Sequence, residues 1–174
     1  MPMETFWVEA TGVSLAQGDY LTDCPVPILP SDFSIGKVDA TISIRRADLI
    51  VMTQSCDLEY SKVQLVAMCP ILSIAQLACF DERYGKADRL EEIRKGRIEA
   101  LHILSSTRVP EDPQDARIVD FREIHSLPVE FLGAHANSRG KRCRLRSPYL
   151  EHYSQAFARF FMRVGLPTAI PRFK

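Results

Sequence analysis

The sequence predicts an α+β fold with an antiparallel, strand-rich core, a helical insertion and a C-terminal amphipathic helix. Two short apolar runs, 48–53 and 63–71, have the length and composition of buried strands, and the polar stretch between them suits a turn between antiparallel neighbours. Charged helix formers then fill 74–100 and interrupt the strand pattern. Strands resume at 101–104 and 116–121, which we expect to complete the sheet.

The chain length favours a single domain over 1–174, since ~100 to 200 residues usually form one core. Hydrophobic residues make up 46% and charged residues 25%, which favours a folded globular chain over a disordered one. We expect the strand-rich core at about 1–73 and 101–132, and the helical insertion at about 74–100. A basic segment and the last helix follow at about 137–166.

A proline-rich stretch near the N-terminus is predicted to be a loop over 24–34. Pro25, Pro27 and Pro30 each lack a backbone N–H, so we expect neither a helix nor a central strand there. The alternating stretch 40–44 is predicted as the next strand.

The last helix is predicted to begin at Ser147-Pro148, with the serine as N-cap and the proline at the first helical position. Glu151 in the first turn complements the positive end of the helix dipole. Apolar and aromatic residues recur at three-to-four spacing and define one face of this helix: Tyr149, Tyr153, Ala156, Phe157, Phe160 and Val164. We expect that face to pack on the sheet or on a partner.

Composition and residue spacing also predict the cellular location, the state of the cysteines and whether a metal is bound. No apolar run reaches the ~18 residues of a membrane span, and the first residues lack the pattern of a signal peptide, so we expect a cytoplasmic protein without membrane association. The five cysteines contain no CxxC pair, which favours reduced thiols over a disulfide framework. A zinc site built from Cys24, Cys56 and Cys69 has no compact ligand spacing, so we expect no metal and no cofactor.

The charges are distributed unevenly along the chain. From Asn137 onward nine Lys or Arg face one acid, a net charge of +8, and the remainder is therefore −8. This split predicts either an anion-binding face, for RNA or DNA, or two halves that neutralise each other. The densest cations form the candidate nucleic-acid-binding site: Arg139, Lys141, Arg142, Arg144 and Arg146. The alternative is that they pair with the acidic insert around Asp88, Glu91 and Glu92.

Three short motifs carry a resemblance to a known family. They are 17–21 (QGDYL), 45–53 (RRADLIVMT) and 69–73 (CPILS), with a weaker fourth at 118–124 (IVDFREI). In order and spacing they resemble the MazF/PemK family, small toxin ribonucleases built on an SH3-like barrel. The resemblance covers roughly 17–132 and implies a small SH3-like antiparallel β-barrel. It also allows a homodimer.

The resemblance implies metal-free cleavage of single-stranded RNA, in which a guanidinium stabilises the charge that develops on the phosphate. Arg46 or Arg45 matches the arginine of the family, and Ser73 could position a phosphate oxygen. The family's threonine after Pro-Ile is replaced by Leu72. A serine cannot act as a base at neutral pH, so the proton acceptor must come from elsewhere, with three candidates: Asp57, Glu59 and His125.

Two functions follow from this resemblance. The first is an RNA-directed protein, with metal-independent endoribonuclease activity in a bacterial toxin or anti-phage defence system. The second is a noncatalytic MazF-like interaction module, a regulatory or effector subunit that binds protein partners, and the change to Leu72 favours it. The surroundings of Arg45 and Arg46 discriminate between them. A ribonuclease needs a guanidinium that faces an open cleft near Ser73, whereas in a docking module the guanidinium can pair with an acid.

A further candidate site follows the strand 48–53, where Gln54, Cys56 and Asp57 stand together. A nucleophilic Cys56 needs a nearby histidine to lower the pKa of its thiol. The alternative is a half-buried cysteine next to an aspartate that accepts backbone hydrogen bonds in a turn.

Overall fold

A computed structural model describes residues 5–30, 41–107 and 115–162. Within these ranges the strands are β1 Trp7–Ala10, β2 Asp19–Ile28, β3 Ser43–Val51, β4 Leu65–Ser73, β5 Leu101–Leu104, β6 Arg117–Asp120, β7 His125–Pro128 and β8 Arg142–Leu145. The α-helices are α1 Ser55–Glu59, α2 Ile74–Phe80, α3 Ala87–Arg94, α4 Val129–Arg139 and α5 Tyr149–Phe161, and a 3-10 turn spans Glu82–Gly85. No helix in the described ranges has the length and apolar character needed to cross a membrane.

The strands form one antiparallel sheet in the order β1-β8-β2-β3-β4-β6-β5, with β7 also paired to β4. This confirms the predicted mixture of helices with an antiparallel sheet. In the described part of the chain β1 pairs with β8 alone and β5 with β6 alone. The sheet therefore does not close, and the SH3-like barrel is not confirmed.

The predicted loop at 24–34 is wrong over its first residues, because β2 runs through Pro25 and Pro27. Residues two apart direct their backbone groups to the same side of a strand, so both missing donors fall on one side. β3 bonds to β2 through the alternate residues on the other side. The predicted loop beyond residue 30 lies outside the described residues.

Strand β4 pairs with β3 over only a short length, at residues 68–70. On its other side β4 pairs with β7 over 65–68 and with β6 over 71–73. β3 and β4 are in register only over three residues of β3, Leu49 to Val51. Over 43–48, β3 pairs with β2 and with no other described strand. These six residues form an edge on the β4 side, although β3 lies in the middle of the strand order.

Hydrogen bonds at the end of β3 show which backbone groups face that edge. The Val51 carbonyl accepts from Gly18 N on the β2 side at 2.9 Å, and Met52 N donates to the Ala67 carbonyl on the β4 side at 2.8 Å. Backbone groups alternate between the two sides of a strand. Counting back in steps of two from Met52 gives the residues of the edge whose N–H and C=O point toward β4: Ile44, Arg46 and Asp48.

The helices pack on the sheet through three apolar clusters. The buried Tyr153 of α5 packs with Phe121, and the rest of the aromatic face of α5 surrounds them, so this face contacts the sheet. Val164, predicted for the same face, lies outside the described residues. Leu132 of α4 belongs to a second cluster, and the helical insertion packs on β5 and β6 through a third that includes Leu77.

The predicted Ser147 cap of the last helix is wrong. The helix begins at Tyr149, Pro148 takes the N-cap position, and no side chain caps it. Leu150 N donates to the carbonyl of Arg146 at 3.0 Å. This backbone carbonyl takes the place of the serine hydroxyl that was expected to accept a hydrogen bond in the first turn.

Candidate functional site

A cavity of about 690 Å³ opens where β3 and β4 diverge, and we call it the β3 cleft. One wall is the edge of β3, the second is formed by α2 and the end of β4, and the third is the turn after β6. The cleft combines charged and apolar side chains, among them Arg45, Arg46, Asp48, Leu72, Phe80, Asp120, Arg122 and Glu123. Both arginines predicted to be catalytic therefore line one open site.

Arg45 is held by an acid. Its guanidinium donates to the Glu123 carboxylate, and the same carboxylate lies 2.9 Å from Nε2 of His125. Nε2 of His125 is buried and lacks hydrogen-bond geometry to any described partner. Because a general base must reach the proton it removes, this nitrogen is not placed to serve a substrate in the cleft.

Arg46 is held more loosely. Its guanidinium donates to the backbone carbonyl of Asp23 at 3.2 Å and lies 3.9 Å from the Asp23 carboxylate, while 61% of its side chain is exposed. Arg122 binds Asp120 through two nitrogens, the closer at 2.6 Å. Each arginine of the cleft thus has a carboxylate neighbour.

Asp48 fixes the base of the β3 wall. Its carboxylate accepts from the Tyr20 hydroxyl at 2.6 Å and from Asp23 N at 2.8 Å. Burial, and then the hydrogen bond to Asp48, raise the pKa of Tyr20 above its ordinary value, so the hydroxyl stays protonated and donates. With three arginines and four carboxylates along its walls, the β3 cleft is close to electroneutral.

Ser73 lies at the N-terminus of α2 and outside the lining of the cleft. Its hydroxyl accepts from Gln76 N at 3.1 Å, and the Gln76 side chain accepts from Ser73 N at 2.8 Å. These two bonds form a capping box, which gives the serine a structural role. Leu72 presents an apolar side chain to the cleft beside it.

The basic string that was predicted to bind nucleic acid pairs within the protein. Arg139 contacts Asp23, and Lys141 lies 3.0 Å from Glu9. Both acids belong to the N-terminal strands. The alternative prediction, pairing with the acidic insert around Asp88, is therefore wrong for these two cations. Arg146 is half-buried, and its backbone amide donates to the Phe6 carbonyl at 3.1 Å.

The other two cations of the string converge on one buried carboxylate. Asp19 is fully buried and accepts from Arg142 Nε at 2.9 Å and from Arg144 Nη2 at 2.9 Å. Arg142 also donates to the Gly12 carbonyl at 2.8 Å, and only 3% of its side chain is exposed. A phosphate could reach Arg142 only by displacing these partners, so Arg142 is a structural residue.

The polar residues 54–57 after β3 are hydrogen-bonded to the turn before β2. The Ser55 hydroxyl accepts from Gln17 N at 3.1 Å, and the Gln17 side chain donates to the Met52 carbonyl at 3.0 Å. Asp57 pairs with Lys62 at 3.3 Å. This connection between two of the predicted motifs was not foreseen, since Ser55 and Gln17 are far apart in sequence.

Cys56 is exposed, and its Sγ lies 3.7 Å from Gln54 Oε1 and 3.8 Å from Asp57 Oδ1. Among the described residues no histidine is hydrogen-bonded to it, so the activation that a nucleophile needs has no visible source. Burial raises the pKa of the Cys24 thiol to about 11 and that of Cys69 to about 12. The described side chains contain no cluster that could hold a metal ion.

Sequence reasoning missed the acids and the aromatic residue of the cleft: Asp23, Asp120, Glu123 and Phe80. They come from three separate segments, and nothing in their local spacing joins them to Arg45 and Arg46. Comparisons with protein-family models, with curated proteins and with solved structures found no match. The resemblance to the MazF/PemK family therefore depends on the short motifs alone.

Replacing Asp19 with alanine should lower the free energy of unfolding by about 3–5 kcal/mol, because it leaves the buried Arg142 without its carboxylate. Urea denaturation measures this directly. The matched control is Glu9→Ala, which breaks the exposed pair with Lys141 and should change the free energy by less than about 1 kcal/mol. Equal effects of the two substitutions would contradict a structural role for the Asp19 cluster.

Proposed function

We propose that this chain is a noncatalytic, MazF-like interaction module that binds an extended protein segment in the β3 cleft as an added strand. The observation that carries the proposal is the edge of β3 over 43–48, which has no described partner strand on the cleft side. Unpaired N–H and C=O groups in a row are a template for another strand. Peptides that bind by strand addition use such edges.

The dimensions of the edge suit a short segment. Six residues of β3 extend over about 20 Å at ~3.3 Å per residue. Ile44 and Arg46 direct backbone groups to the open side of β3, so an added strand would gain main-chain hydrogen bonds that do not depend on its sequence. The charged side chains of Arg45 and Arg46 disfavour nonspecific pairing of other strands with this edge. The side chains along the walls of the cleft then decide which segment binds.

The walls favour a protein segment over a polyanion. The arginines of the cleft already have carboxylate neighbours, and the carboxylates outnumber them by four to three. A strand of RNA would have to displace these acids or place its phosphates beside them. A protein segment with a basic side chain for the acids and an apolar one for Leu72 and Phe80 meets both walls. Phe80 is 79% exposed and would lose much of that surface on binding.

Selection from a random peptide display library tests this proposal. Wild-type protein should enrich extended peptides, and Ile44→Pro should weaken binding of an enriched peptide roughly tenfold, because proline removes an N–H on the open side of β3. Ile44→Ala keeps that N–H and is the matched control. Phe80→Ala should also weaken binding, whereas Tyr60→Ala, at a residue that is 67% exposed outside the cleft, should not.

Two results would count against the proposal. Without enrichment of any peptide by wild-type protein, the binding module itself is wrong. If the enriched peptides bind Ile44→Pro and Ile44→Ala equally well, the chain is still a binding module, but the peptides do not bind by strand addition. Thermal unfolding of each variant shows that the comparison is made between folded proteins.

RNA cleavage is the second candidate function, and the exposure of Arg46 at the cleft is the observation that favours it. A guanidinium in that position can contact a scissile phosphate. Against it stand the capping role of Ser73 and the burial of Nε2 of His125.

We expect purified protein to leave a mixed pool of single-stranded RNA intact in EDTA, as judged by gel electrophoresis of the products. The reason is that the cleft combines arginines already paired with acids and an apolar Leu72 at the position of the family's threonine. The Arg45→Ala/Arg46→Ala double variant is the control. Cleavage by the wild type that disappears in the double variant would make the ribonuclease the correct function and overturn the binding module.

A further inference from the structure

A second cavity, of about 270 Å³, lies between the end of α3, the start of β5 and α5, and we call it the α5 pocket. It shares no lining residue with the β3 cleft. Its polar lining is dominated by nitrogen-bearing side chains: Arg94, Lys95, His102, His152, Gln155 and Arg159. Glu99 is the one acid among the described residues that line it.

Helical spacing brings one set of these side chains together. His152, Gln155 and Arg159 stand three and four residues apart on α5, so they share one face of that helix. All three are exposed. They line the pocket together with Arg94 of α3 and Lys95 directly after it, which places cationic groups on two separate elements.

Three carbonyls at the end of α3 are already hydrogen-bonded within the chain. The carbonyls of Glu91, Glu92 and Ile93 accept from the backbone amides of Lys95, Arg97 and Gly96, at distances from 2.9 to 3.0 Å. Arg94 and Lys95 both bind the Glu91 carboxylate. A guanidinium has five N–H donors and an ammonium three, so both cations keep donors for a ligand.

His102 lies in the wall of the pocket. Burial is the main cause that lowers its pKa to about 4, and electrostatic interaction with His152 and Arg159 lowers it further. Its ring stacks near Phe121 and contacts Tyr153 at a centroid distance of 6.0 Å, which holds it in place. At neutral pH the imidazole is uncharged and still carries one N–H donor.

We infer that the α5 pocket binds a small phosphate monoester. The guanidinium groups of Arg94 and Arg159, the ammonium group of Lys95 and the amide of Gln155 provide the donors that a phosphate dianion accepts from. The volume is just below the ~300 to 1,000 Å³ of most small-molecule sites, so it suits a phosphate with a sugar-sized substituent and excludes a folded polymer. This site is independent of strand binding in the β3 cleft.

Titration with ribose 5-phosphate, followed by two-dimensional NMR of the whole chain, tests the inference. Saturable shifts are expected at the Gly96 amide and at the imidazole of His102, with ribose and sodium chloride at matched ionic strength as controls. Arg159→Gln should raise the dissociation constant roughly tenfold, since it removes one charged donor. Arg83→Gln is the matched control, because Arg83 is exposed, pairs with Asp81 and lies outside the pocket.

The inference is overturned if ribose 5-phosphate causes no saturable shift at Gly96 or His102, or if ribose causes the same one. It is equally overturned if Arg159→Gln and Arg83→Gln bind ribose 5-phosphate with the same affinity. Both arginines are on the surface, and a spectrum of each variant without ligand shows whether it is folded.

Discussion

The buried carboxylate of Asp19 joins two neighbouring strands, β2 and β8, that lie far apart in the sequence. It lies at the start of β2 and accepts from two arginines of β8, while Ala16 N donates to the same carboxylate at 3.0 Å. A buried charge without a partner costs several kcal/mol, so this cluster holds β8 against β2. Gly18 next to it has φ +82°, and a Cβ there would lie 2.9 Å from the side chain of Leu145. The turn therefore needs a glycine for both its conformation and its space.

The position of β2 in turn determines how β3 is exposed. The positions of Pro25 and Pro27 that lack an N–H are on the side of β2 away from β3. The residues between the prolines therefore form the hydrogen bonds to β3. β4 pairs with β3 only at Leu49 to Val51, and among the described strands the edge over 43–48 has a partner on one side only. The β3 cleft thus lies where the pairing of β3 with β4 ends. Charged pairs line its walls.

Periodicity and composition predicted a large part of the fold. The two apolar runs became β3 and β4, the charged stretch became α2 and α3, and the aromatic face of α5 packs on the sheet. The proline content of 24–34 led to a wrong loop prediction. A proline lacks an N–H on one side of the strand only, so the strand can still pair on its other side. That side is decided by the neighbouring strands, which the local sequence does not reveal.

The candidate site was harder to predict, because its charges pair over long separations. Arg142 meets Asp19 across 123 positions and Arg45 meets Glu123 across 78, so no local pattern connects them. The excess of +8 after Asn137 predicted either an anion-binding face or neutralisation by the rest of the chain, and four of its cations pair with acids of the first two strands. The arginines at 45 and 46 were predicted as site residues and do line the β3 cleft. The acids beside them could be identified only from the fold.

The open edge of β3 is the central claim, and amide hydrogen exchange of the free protein tests it most directly. Arg45 and Ala47 bond to β2, so their amides should exchange slowly. The amides of Ile44 and Arg46 point to the open side of β3 and should exchange much faster than these neighbours. Uniform protection of all four amides would contradict the account, because it would mean that the cleft side of β3 is already paired.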